Sequence, residues 1–128
     1  MSQTSLPVEV QKFIARHIRS LEQLEILCLL VGNPARAWSE AEVFKQIQSS
    51  PESVGRTMRR FTAEGLFVHE GGSSYRFEPK SPEMARPATE LAALYKQHRV
   101  AIIEAIYRSP LDPVRQFADA FRIRKDKT

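Results

Sequence analysis

The chain has 128 residues, 42% of them hydrophobic and 27% charged, which sets one globular domain with its own core and excludes a disordered polar chain. A single cysteine excludes an internal disulfide framework and fits a reducing compartment. The net charge of +4 hints at a polyanionic partner, but residues 1–50 and 51–83 each carry five Lys/Arg against five Asp/Glu, whereas residues 84–128 carry nine against five.

The N-terminus has no apolar signal-peptide core. The longest apolar run, Ile26 to Val31, falls far short of the ~20 residues that span a bilayer. A soluble, cytoplasmic protein without a membrane partner is expected.

Residues 8–37 read as N-terminal helices. Over residues 8–20, Val10, Phe13, Ile14, His17 and Ile18 share one face at helical spacing, and Pro7 suits the helix start. Ser20 and Gln23 have capping-box spacing, so either a second helix starts there or one long helix runs through. The stretch LEQLEILCLLV is apolar nearly all round, as a central core helix would be. Gly32-Asn33-Pro34 stops it. Cys28, inside that run, reads as a buried small hydrophobe rather than a reactive thiol.

Residues 38–79 read as helix, turn, helix and a two-stranded hairpin. Ser39 and Glu42 form a capping box, and Trp38 with Val43 closes a hydrophobic staple. Val43, Phe44 and Ile47 are the apolar face of that helix. Ser50 caps the next helix and Pro51 takes its first position. Val54, Met58 and Phe61 form its inner stripe, and Gly65 ends it. Leu66–Glu70 and Ser74–Glu78 are short runs containing Phe, Val and Tyr, and they flank Gly71-Gly72, a hairpin signal.

Residues 79–87, with Pro79, Pro82 and Pro87, read as a linker. Residues 87–121 read as C-terminal helices. The first is a long helix over 87–108 with Ala88, Leu91, Tyr95, Ile102 and Ile106 in its stripe. At ~1.5 Å per residue it would span roughly 33 Å, longer than a small core needs, which points to a homodimer. A short amphipathic helix follows, with Val114, Phe117, Ala118 and Phe121 inward, and residues 122–128 form a basic tail. The fold class expected is therefore mainly α with a small β-hairpin.

The phrase WSEAEVFKQIQSSPESVGRTMRRFTAEGLF and the hairpin after it resemble the winged helix-turn-helix of small bacterial transcriptional regulators, the MarR-like group in the broad sense. The resemblance extends from Leu21 to Pro79 and covers slightly under half the chain. It implies a winged helix-turn-helix flanked by N-terminal and long C-terminal helices that form a homodimer. It also implies double-stranded DNA as partner and transcription regulation as the role. The C-terminal FADAFRIRK resembles a tail of uncharacterised bacterial proteins and implies no activity.

The second helix carries Arg56, Arg59 and Arg60 with no acid between Glu52 and Glu64. At about 100° per residue, Ser53, Arg56, Thr57 and Arg60 are read as lying opposite the inner stripe, with Arg59 on the flank. Arginine can contact guanine or phosphate, and Ser or Thr either one. Arg76 on the return strand completes the expected DNA-binding set. The wing departs from the DNA-binding pattern, since Glu70 stands at its tip where Arg or Lys is usual. A winged-helix module that docks a protein, without binding DNA, is the alternative. Catalysis is not expected: His17, His69 and His98 share no metal-ligand spacing, Gly71-Gly72 is a turn rather than a phosphate loop, and no nucleophile motif occurs. No metal and no cofactor is expected.

Overall fold

The structure is a computed structural model and describes residues 6–108. Ser20 decides what the sequence leaves open at the first junction. Helix α1 (Val8–His17) ends in an extended Ile18, and α2 (Leu21–Gly32) restarts with Ser20 as N-cap. The Ser20 hydroxyl accepts from the Gln23 amide at 3.2 Å. The return half of the capping box is shifted by one residue, because the Gln23 side chain accepts from the Arg19 amide at 2.8 Å. Leu24, Ile26, Leu27 and Leu30 of α2 are buried at the centre of the core. Cys28 is only half-buried.

The middle of the chain holds β1 (Trp38–Ser39), α3 (Glu40–Gln46), α4 (Pro51–Ala63), β2 (Phe67–Glu70) and β3 (Ser74–Phe77). The expected capping box on α3 is complete in both directions: Glu42 N–H donates to Ser39 Oγ at 3.1 Å, and Ser39 N–H to Glu42 Oε1 at 3.0 Å. Trp38 and Val43 are both buried beside it. Phe44, expected on the buried face, is instead 37% exposed. α3 ends at Gln46, and only Val43 and Ile47 reach the core.

Ser50 caps α4 and Pro51 opens it. Its exit is a Schellman turn. Gly65 takes φ +90°, its N–H donates to Thr62 O, and Leu66 N–H donates to Phe61 O. This reverses the chain so that buried Leu66 and Phe67 enter the sheet against Phe61, whose ring meets Phe67 edge-on at 5.3 Å.

The sheet has three antiparallel strands in the order β1-β3-β2, not the two of a lone hairpin. Trp38 pairs with Tyr75, and Phe67 with Phe77. Two residues are too few to show a strand periodicity, so β1 left no pattern in the sequence.

The expected long helix is two helices, α5 (Pro82–Tyr95) and α6 (Arg99–Tyr107). The first starts at Pro82 rather than Pro87. Proline in the first helical position needs no N–H partner, and Pro87 lies buried inside the helix. Residues 96–98 form a turn in which Gln97 and His98 N–H both donate to Leu94 O. This turn lets α5 pack on α1 and α2 while α6 folds back onto α1 and α5. Leu91, Ile102 and Ile106 thereby share the core of Leu24 and Leu27. The split removes the 33 Å span, one of the two grounds for expecting a homodimer. The helix expected around Val114–Phe121 and the basic tail lie outside the described residues.

Candidate nucleic-acid interface

α4 buries a wider arc than its Val54, Met58 and Phe61 stripe requires. Thr57 is 4% exposed and Gly55 is also buried, because α2 packs on one flank of α4 and α3 on the other. The outward ridge is consequently Glu52, Arg56, Arg59 and Ala63. The expected outer set of Ser53, Arg56, Thr57 and Arg60 is divided by this packing. Only Arg56 lies on the ridge, and Arg59, expected on the flank, joins it.

Each displaced side chain has a structural task. Ser53 Oγ donates to Glu22 Oε1 at 2.8 Å, and Ser49 Oγ bonds the other oxygen of Glu22. One carboxylate in the first turn of α2 thus ties down the turn between α3 and α4. Arg60 is an internal clasp. Its Nη2 donates to the His17 carbonyl at 2.7 Å and to Gln23 Oε1 at 2.8 Å, and its Nη1 to Glu64 Oε2 at 2.8 Å. The other Glu64 oxygen lies 2.8 Å from His17 Nδ1. This network joins the end of α1, the start of α2 and the end of α4. His17 is buried, as its apolar neighbours suggested, and packs on the Phe13 ring.

The arginine of β3 is also engaged. Arg76 Nε donates to Glu70 Oε1 at 2.8 Å and Nη2 to Glu78 Oε1 at 2.5 Å. The tip glycines Gly71 and Gly72 both take positive φ, and nothing lies near enough to crowd a side chain there. Arg36, just before β1, stacks over Trp38 at 3.6 Å.

Two cations remain outward on α4. Arg56 is exposed and has no hydrogen bond or ion pair among the described residues. Arg59 has a side chain 60% exposed and donates from Nη1 to Glu40 Oε2 at 3.0 Å. The same oxygen accepts from Tyr75 Oη at 2.7 Å. Burial, and then the bond to Glu40, push the Tyr75 hydroxyl up to about 12, so it remains a proton donor throughout the neutral range. Sequence reasoning missed Glu40 and Tyr75. The available signal was Gly55, a glycine inside an otherwise good helix with no turn to require it.

Other chemistry is sparse among the described residues. No group of three His, Cys, Asp or Glu could hold a metal ion, and no helix is long and apolar enough to cross a membrane. Burial pushes the Cys28 thiol up to about 12, with Glu25 adding to the effect, so its thiolate is scarce at neutral pH. A groove of about 240 Å³ between α1 and α5 mixes Lys12 and Arg16 with Glu9 and Glu83 and converges on no single charge.

No family model, curated protein or solved structure matches this chain.

Proposed function

We propose that residues 38–79 form a winged helix-turn-helix that binds duplex DNA, with α4 in the major groove, and that the protein regulates transcription. The observation that carries this reading is the outward ridge of α4, where Arg56 stands exposed beside Arg59 with no hydrogen bond or ion pair among the described residues. An arginine ridge on the second of two consecutive helices, with a hairpin after it, suits groove entry and phosphate contact. The pair between Arg59 and Glu40 is a surface pair, worth about 0–1 kcal/mol, and therefore no barrier to exchange for a phosphate.

The charge balance limits how tightly such a protein binds. Residues 38–79 hold five Lys/Arg against six Glu, a net of −1. Two phosphate contacts per chain from Arg56 and Arg59 give a logarithmic salt slope of about −2, at roughly −0.9 per contact. Anisotropy of a labelled duplex titrated at several salt concentrations tests this. Arg56→Ala is expected to weaken binding and flatten the slope by about one.

The same net charge favours a second reading, in which the module docks a protein. Phe44, 37% exposed on α3, is the apolar contact such a partner would use. A duplex that never binds, together with a Phe44-dependent complex, would favour that reading.

A further inference from the structure

Glu40 occupies a position built for an anion. Its Oε2 receives two donors from separate elements, Arg59 Nη1 on α4 at 3.0 Å and Tyr75 Oη on β3 at 2.7 Å. Its Oε1 lies over Gly55, where an added methyl group would come within 2.6 Å of that oxygen. Glycine in a helix interior sacrifices helix stability, and the space left by the missing side chain at residue 55 is taken by the Glu40 carboxylate, with Arg59 Nη1 3.0 Å from the same point. Tyr75 is 4% exposed and stands in the sheet opposite Trp38, whereas the Glu40 side chain is 35% exposed at the surface. Arg59 uses one of its five N–H donors here, leaving others for the incoming group.

We propose that Gly55, Arg59 and Tyr75 form a phosphate seat, which the carboxylate of Glu40 fills in the free protein and a backbone phosphodiester of duplex DNA fills in the complex. The proposal rests on the DNA-binding reading above. A carboxylate and a phosphodiester each present two oxygens sharing one negative charge, so the same guanidinium and hydroxyl serve both. Glu40 is then a built-in competitor. It keeps Arg59 and Tyr75 aligned in the absence of DNA and lowers affinity for any duplex that does not displace it.

The test is a double-mutant cycle on the full chain, read by anisotropy with a random-sequence duplex. Glu40→Gln removes the competing charge and is expected to tighten binding about three- to tenfold. Losing any acid near DNA has some such effect, so the decisive quantity is its dependence on Tyr75. In a Tyr75→Phe background the gain from Glu40→Gln is expected to shrink by half or more. The gain from Glu52→Gln, an exposed acid with no hydrogen bond or ion pair to Arg59 or Tyr75, is expected to be equal in both backgrounds. Thermal melts of each variant confirm that the comparison is between folded proteins. Equal Glu40→Gln gains with and without the Tyr75 hydroxyl would overturn the seat while leaving the DNA reading intact, provided Arg56→Ala still weakens binding. Inorganic phosphate that binds the wild type and is lost in Tyr75→Phe, while the Glu40→Gln gain in duplex affinity is the same in both backgrounds, would assign the seat to the free anion and overturn the proposal as stated. No binding by the wild type or any variant would overturn both.

Discussion

Arg60 separates the structure from the pattern of the sequence most sharply, and Arg60→Ala is the perturbation that exploits this. An arginine on a DNA-facing surface can be removed with little effect on stability. Arg60 instead makes three charge-assisted hydrogen bonds, to the His17 carbonyl, Gln23 and Glu64, all at 2.7–2.8 Å. Such bonds contribute about 1.5–3 kcal/mol each when well buried. The Arg60 side chain is 24% exposed and Glu64 28%, so solvent screening brings the figure nearer ~1 kcal/mol per bond. The substitution is therefore expected to destabilise the fold by about 2–3 kcal/mol, lowering Tm by on the order of 10–15 °C for a domain of this size. Arg56→Ala, which breaks no hydrogen bond or ion pair among the described residues, should stay within about 0.5 kcal/mol of wild type. Arg60→Lys should recover less than half the loss, since one ammonium cannot reproduce the planar fork across three acceptors. Urea denaturation followed by circular dichroism measures all three. If Arg60→Ala is as stable as wild type but loses DNA affinity as Arg56→Ala does, the clasp contributes nothing and Arg60 belongs to the binding surface.

Gly65 has φ +90°, and an added Cβ would lie 2.7 Å from the Lys80 side chain, so Gly65→Ala is expected to cost about 1–3 kcal/mol in the same urea assay. A loss below about 0.5 kcal/mol would mean that the Schellman turn tolerates a side chain. The Tyr75 hydroxyl, raised to about 12, has its neutral form favoured by folding. The stability it contributes is complete below the unfolded value of about 10 and is lost as pH rises through 12. Ultraviolet titration, assigned by difference with Tyr75→Phe, should find this hydroxyl late to ionise. Glu40→Gln should lower its midpoint without returning it to the ordinary tyrosine value, because burial is the larger cause. A midpoint near 10 in the wild type would contradict the buried bond to Glu40.

The parts of the fold readable from sequence were those whose causes are local. Ser39 with Glu42, Ser50 with Pro51, and Gly65 each act within one helical turn, and each appears where residue type and spacing put it. The apolar stripe of α4 was readable for the same reason. What sequence could not reveal depends on partners distant in the chain. Arg60 and Ser53 looked like surface residues because Gln23, His17 and Glu22, their acceptors, lie 31 to 43 positions away. Thr57 looked outward because nothing local shows that α2 covers that flank. The break at 96–98 contains neither Gly nor Pro, so nothing local marks it, and what accompanies it is the packing of α6 back onto α1 and α5. Glu40, an ordinary member of a capped first turn by sequence, acquires its role only when Arg59 and Tyr75 arrive from α4 and β3.

Whether the α4 ridge meets a nucleic-acid backbone is measured most directly by a salt titration of duplex binding. A wild-type slope of about −2 in log affinity against log salt concentration is expected, falling to about −1 in Arg56→Ala with the fold unchanged. The same slope and the same affinity in the two proteins, or no measurable binding at low salt, would contradict that contact.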